Sequence, residues 1–242
     1  MDGSRRPPRG TFVGPMADIA GNIEAVRTRI EAALSRAGRY DEPVAIVAVT
    51  KTFSADVVRE VIRAGITDIG ENRVQELLAK ARQVEEPCRW HLVGPLQRNK
   101  IRKVVGMAHL LHAIDGETIA LAVDRVAGDE GVRPAVLLEV NTSGEASKHG
   151  VSREDAVELG YHLASLEYLD WRGLMTIGPL NAGPGATRAC FRRLAVLAAE
   201  LRGRTGLSLP ELSMGMSDDF ETAVEEGATI VRLGRVIVGE RK

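Results

Sequence analysis

Short, β-branched apolar runs recur along this chain, and most are followed by a stretch whose apolar residues fall every three or four positions. The first spacing fits buried strands and the second amphipathic helices. Residues 18–37 read as a helix, with Ile19, Ile23, Val26, Ile30 and Leu34 on one face and Gly38 as the stop. Val44 to Val49 reads as a buried parallel strand. Ser54 then caps a helix carrying Val57, Val58, Val61 and Ile62, which Gly65 ends. The alternation continues. Strands are expected near Asp68-Ile69, at 90–93, 109–114 and 135–140, within 169–177, and at 211–214 and 229–233. Helical patterns lie between them at Val74–Val84, 97–105, 118–126, Ala156–Leu166 and Phe191–Leu201, and Ser217 is read as the cap of a helix holding Phe220 and Val224.

Eight strand–helix pairs in 242 residues predict an α/β protein, a single (β/α)8 TIM barrel with an extra N-terminal helix. An open doubly wound sheet is the alternative. The final helix has few residues left to it, so the N-terminal helix is expected to cover the gap. Residues 1–15, rich in Arg, Pro and Gly, read as a disordered leader and 16–242 as the barrel, with Met16 as the functional start.

Composition narrows the function classes. A net charge of -1 and 4% aromatic residues argue against nucleic acid or anionic membrane as a partner. Cys88 and Cys190 lack metal-ligand spacing and read as reduced thiols of a cytoplasmic protein. No apolar run approaches the ~20 residues of a membrane span.

The unusual polar residues fall just after the expected strand ends, which in a barrel share one rim. Lys51 follows the first strand. A lysine held among apolar neighbours favours its neutral amine, which can form a Schiff base with a carbonyl. The segment by itself favours the plainer alternative, a surface lysine opening a loop, since most lysines are solvated. Gly215 and Gly234 would let backbone N–H groups approach a phosphate, and Arg232 and Arg235 would add charge-assisted bonds. A closed barrel makes the first and eighth strands neighbours, so one ligand with an aldehyde and a phosphate could bridge them. Pyridoxal 5′-phosphate (PLP) and a sugar phosphate of the aldolase type both fit.

Seven motifs, in order, then resemble the pyridoxal phosphate homeostasis proteins. They are 48–52 (AVTKT), 70–76 (GENRVQE), 90–97 (WHLVGPLQ), 140–144 (VNTSG), 147–150 (SKHG), 173–178 (GLMTIG) and 212–220 (LSMGMSDDF). The resemblance spans residues 18–240. It implies a barrel like that of alanine racemase, with PLP held covalently at Lys51. It also implies phosphate contacts from Ser213 and Gly234, Arg232 at the pyridine nitrogen or the phosphate, and Asn72, His91 and Met214 beside the ring. Arg235 departs from the small hydroxyl residue usual in the family, and Ser54 stands where many relatives have Pro. Lys148 is a second candidate lysine, either a solvated loop residue or a transit site. The basic stretch from Arg98 to Lys103 reads as a solvated helix face. The function implied is a non-catalytic PLP carrier, monomeric, that buffers the cofactor and delivers it to apo PLP-dependent enzymes. The alternative is a weak amino-acid racemase, for which Tyr40, Tyr161, Tyr168 and the histidines are the candidate acid/base groups, none in a suggestive setting.

Overall fold

The computed structural model describes residues 18–145, 149–180 and 182–240. Within them, eight parallel strands close into a barrel in chain order. These are β1 (Ala45–Val49), β2 (Asp68–Glu71), β3 (Arg89–Leu92), β4 (Leu110–Ile114), β5 (Ala135–Glu139), β6 (Asp170–Met175), β7 (Glu211–Ser213) and β8 (Ile230–Leu233). The helices are α1 (Ile19–Arg36), α2 (Ala55–Arg63), α3 (Val74–Ala81), α4 (Ile101–Val104), α5 (Glu117–Glu130), α6 (Arg153–Ser165), α7 (Pro184–Thr205), α8 (Phe220–Glu225) and α9 (Arg235–Val238). The leader and Met16 lie outside the described residues.

Period-two alternation splits the strand residues into two packed clusters. Ala48, Ile69, Leu92, Leu111, Val136, Leu138, Leu174, Leu212, Val231 and Leu233 join the helix faces in one continuous cluster. Val47, Val93, Leu110, Leu137, Met175 and Ile230 fill the barrel interior. The short α9 leaves a gap in the helical ring, and α1 spans it. Asn22 Nδ2 donates to Ile237 O at 2.9 Å, Arg29 Nε donates to Glu221 Oε1 at 3.1 Å, and the Arg29 guanidinium lies 4.5 Å from the Phe220 ring centroid. Closure pairs Ala48 of β1 with Leu233 of β8, which makes the two ends of the strand order neighbours.

Two capping expectations change. Ser54 occupies the position before α2, but its side chain makes no capping bond. Ser217 does not cap α8, since that position belongs to Asp219. Asp219 Oδ1 instead accepts the Met216 N–H at 2.6 Å.

Candidate functional site

Lys51 lies at the C-terminal rim in a tight turn closed by Phe53 N–H donating to Thr50 O at 3.1 Å. The turn forces Thr52 to a φ of 72°, a left-handed conformation that a β-branched residue rarely adopts. Glu76 holds it there, accepting the Thr52 N–H at 2.8 Å. Lys51 is exposed, as the surface-lysine reading of its segment has it, and is not packed among apolar neighbours. The reason is local: the apolar run ends at Val49, and the turn lifts the next side chain but one onto the rim.

A buried polar cluster supports this turn from below. The Thr50 hydroxyl donates to Glu71 Oε1 at 2.7 Å. Lys80 on α3 donates to the same oxygen at 2.5 Å and to Thr50 O at 2.7 Å. Glu71 Oε2 is buried without a hydrogen-bond partner. Burial raises the Glu71 pKa, against the opposing pull of Lys80 and Thr50. The sequence reading placed Lys80 on no site, because a lysine in a helical pattern is ordinarily solvated.

Inside the barrel, Arg232 is buried on β8. Its Nη1 donates to Ser213 O and to Ser213 Oγ, each at 2.7 Å, and its Nη2 donates to Thr176 O at 2.9 Å. Burial lowers its pKa to about 10, with Glu139 and Asp219 opposing the shift, so it stays a cation at neutral pH. Ser213 is fully buried and faces inward, toward Arg232 and toward His112 Nδ1 at 2.9 Å. It therefore presents no hydroxyl to a phosphate at the rim. His91 is also interior, with Nδ1 3.0 Å from His112 Nε2 and Nε2 2.8 Å from Asp68 Oδ1. Both ring nitrogens are engaged within the barrel, so His91 offers no free nitrogen toward the rim. Met214 packs with Leu212, Phe220 and Ala223 in the helix-facing cluster, which leaves only its backbone near the rim. In each of these three the residue is at the expected strand, and alternation turns its side chain elsewhere.

The rim after β7 and β8 supplies different groups. Ser217 Oγ accepts the Val236 N–H at 3.3 Å, which sets its hydroxyl at the start of α9 beside Gly234. A Cβ on Gly234 would lie 3.2 Å from Val49 O, so the β8 end and the lysine-bearing end of β1 are in close contact. Gly215 has a φ of +93°, and a Cβ there would meet Ala223 Cβ at 2.6 Å. Arg235 is exposed and pairs with Asp218. On the neighbouring side, Asn72 follows β2, half-buried, with its carbonyl 2.4 Å from where a Gly94 Cβ would stand. Asn72, Arg73, Gln97 and Lys100 line one hollow of about 530 Å³. The basic stretch is a 3-10 turn, Arg98–Lys100, leading into α4, and Arg98, Arg102 and Lys103 are exposed. Lys148 lies outside the described residues. Among the described residues no His, Cys, Asp or Glu group could hold a metal ion, and no helix is long and apolar enough to cross a membrane.

A family model described as "Alanine racemase, N-terminal domain" matches residues 21–242. Fold and rim thus define a barrel of the alanine racemase class. The similarity narrows further. The pyridoxal phosphate homeostasis protein of Pseudomonas aeruginosa is 43% identical over 229 residues, covering 93% of this chain and 97% of its own length. That of Aquifex aeolicus is 40% identical over 221 residues, covering 91% and 97% respectively. The chain belongs to the pyridoxal phosphate homeostasis protein family. Among solved structures, PipY of Synechococcus elongatus PCC7942 with PLP bound is 36% identical with a TM-score of 0.82, over 92% of this chain and 100% of that one. Alanine racemase of Clostridium difficile, at 15% identity and a TM-score of 0.74, shares the fold over 96% of this chain and 60% of its own.

Proposed function

We propose that this protein is a non-catalytic PLP carrier, which holds the cofactor covalently at Lys51, limits the free aldehyde and passes it to apo PLP-dependent enzymes. The observation that carries the reading is the contact between the β1 end bearing Lys51 and the β8 end bearing Arg232 and Gly234. The donor set fits the group. Lys51 supplies a rim amine, and Ser217 with the backbone at Gly234 and Arg235 supplies phosphate donors in place of the inward Ser213. Arg232 spends three bonds on Ser213 and Thr176 and keeps further N–H groups for the pyridine nitrogen. Asn72 supplies a further polar group at the end of β2, the strand on the other side of β1 from β8.

PLP, when bound, supplies an aldehyde carbon and an electron-withdrawing ring. A cation of pKa about 10 at the ring nitrogen disfavours protonation there and weakens that ring as an electron sink. Storage then has a physical basis: the site holds the aldehyde and gives its reactivity little help. Racemisation needs a proton-transfer group on each face of the ring. Tyr40 lies in the loop before β1, Tyr161 on α6 and Tyr168 just before β6, all exposed and none at the C-terminal rim. The carrier is read as a monomer of the cytoplasm.

The test is incubation of purified protein with PLP, borohydride reduction and peptide mass spectrometry. Pyridoxyl label on Lys51, with loss of the visible absorption band in Lys51→Ala, is expected. No band, or label confined to another lysine, would overturn the assignment. Alanine racemisation at a rate typical of enzymes would overturn the carrier reading.

A further inference from the structure

A chain of polar side chains crosses the barrel interior from one face to the other. It starts at Asp68, the first residue of β2, which pairs with Arg89 and lines a cavity of about 310 Å³ under α1 on the N-terminal face. It continues through His91, His112 and Ser213 to Arg232, in steps of 2.8, 3.0, 2.9 and 2.7 Å. The two ends fix its polarity. An ionised carboxylate only accepts, and a guanidinium only donates. His91 must therefore donate from Nε2 to Asp68. With a neutral ring its Nδ1 then accepts, so His112 donates from Nε2. His112 Nδ1 accepts in turn, so the Ser213 hydroxyl donates to it while taking the Arg232 N–H on a lone pair. With both rings neutral, no other arrangement satisfies every member.

We propose that this one-way chain is a positioning device for the cofactor site: Asp68 sets the tautomers of His91 and His112, and through the Ser213 hydroxyl these hold Arg232 in place. The proposal rests on the PLP reading only for what Arg232 faces. One added proton, on either ring, turns the His112–Ser213 link around, while the Asp68 and Arg232 ends keep their direction. His112 would then donate to Ser213 from Nδ1, and the serine hydroxyl, already receiving Arg232, would lose its acceptor. The groups that oppose or favour such a proton surround the chain. His109, 5.3 Å from His91 across their rings, and Arg232 disfavour it, while Arg89 on β3 and Arg172 on β6 act on His109. Asp68 favours it, while Glu139 and Asp219 act on Arg232. Burial, with His91 and Arg232, holds His112 well below the ordinary histidine range, which opposes a proton on that ring.

The decisive substitution is Asp68→Asn. Arg89, which only donates, faces the other Asp68 oxygen, so the amide oxygen turns to Arg89 and the amino group is left donating to His91, which leaves the geometry intact and inverts the tautomer. Nitrogen-15 NMR of histidine-labelled, PLP-free protein at neutral pH should show both His91 and His112 protonated at Nε2. In Asp68→Asn both should move to Nδ1, and PLP affinity should fall about tenfold, the effect of one unmade buried hydrogen bond. In a Ser213→Ala background the same substitution should cause no further loss, because the hydroxyl that transmits it is gone. An Nδ1–H tautomer in either wild-type ring would overturn the proposal, as would an Asp68→Asn loss of equal size with and without Ser213. Should Asp68→Asn fail to fold, an acid titration of the wild type decides: both rings changing at one midpoint supports the chain, and independent midpoints refute it. The NMR arms need no PLP, so a protein that binds no cofactor would sink the carrier reading and leave this one standing or falling by itself.

Discussion

Replacing Lys80 with methionine tests the buried cluster beneath Lys51. The side chain is 8% exposed and its partner Glu71 fully buried, so Lys80→Met leaves a carboxylate in the interior with one hydroxyl donor. Breaking one partner out of a buried pair costs about 3–5 kcal/mol. For a chain of this size that corresponds to a fall in melting temperature of roughly 6–20 °C. The pH dependence carries a sign. Burial already raises Glu71 above 4.5, and removing Lys80 removes a pull in the other direction. The folded variant then binds more protons than the unfolded chain, so its stability rises as pH falls through the raised folded pKa. Urea denaturation at pH 8 and pH 5 should show the deficit shrinking at pH 5, with an unchanged m-value. Lys80→Met with Glu71→Leu should recover most of the loss, because two apolar groups leave no orphaned charge. A single variant within 1 kcal/mol of wild type at pH 8, or a double variant as unstable as the single, would refute the account.

Three further outcomes follow from particular contacts. Arg232→Lys keeps the charge but cannot reach Ser213 and Thr176 together as a planar fork, so it should cost about 1–3 kcal/mol in thermal unfolding and weaken PLP binding; equal stability would remove the fork's role. Thr52→Gly removes a β-branched residue from a φ of 72° and should leave stability equal or up to about 1 kcal/mol higher in chemical denaturation, while a marked loss would contradict the strain. Gly215→Ala places a Cβ 2.9 Å from Phe220 Cα at a φ of +93° and should destabilise by at least about 2 kcal/mol, read from the denaturation midpoint.

Much of the fold was legible because strand and helix spacings differ and repeat. The run ending at Val49 and the run before Arg232 each fall within a residue of a real strand. Placement along a strand was easier to read than direction across it. Leu212 and Met214 share one face and Ile230 and Arg232 another, so alternation alone turns Met214 toward the helices and Arg232 inward. Applying it to Ser213 would have moved the rim hydroxyl to Ser217. The Lys80–Glu71 pair and the His91–His112 contact had no local signal. Each joins residues from different elements, and only barrel closure decides which polar side chains meet.

The seam between β1 and β8 has a consequence for synthesis. Lys51 is made well before Arg232 and Gly234, yet the strand ends that bear them meet only when β1 and β8 pair and α1 lies across the gap. A nascent chain still lacking β8 offers a reactive aldehyde a lone exposed amine, with no partner to retain it. On the carrier reading proposed above, capture of the cofactor should follow closure of the barrel, and a chain cut before β8 should release whatever aldehyde it meets.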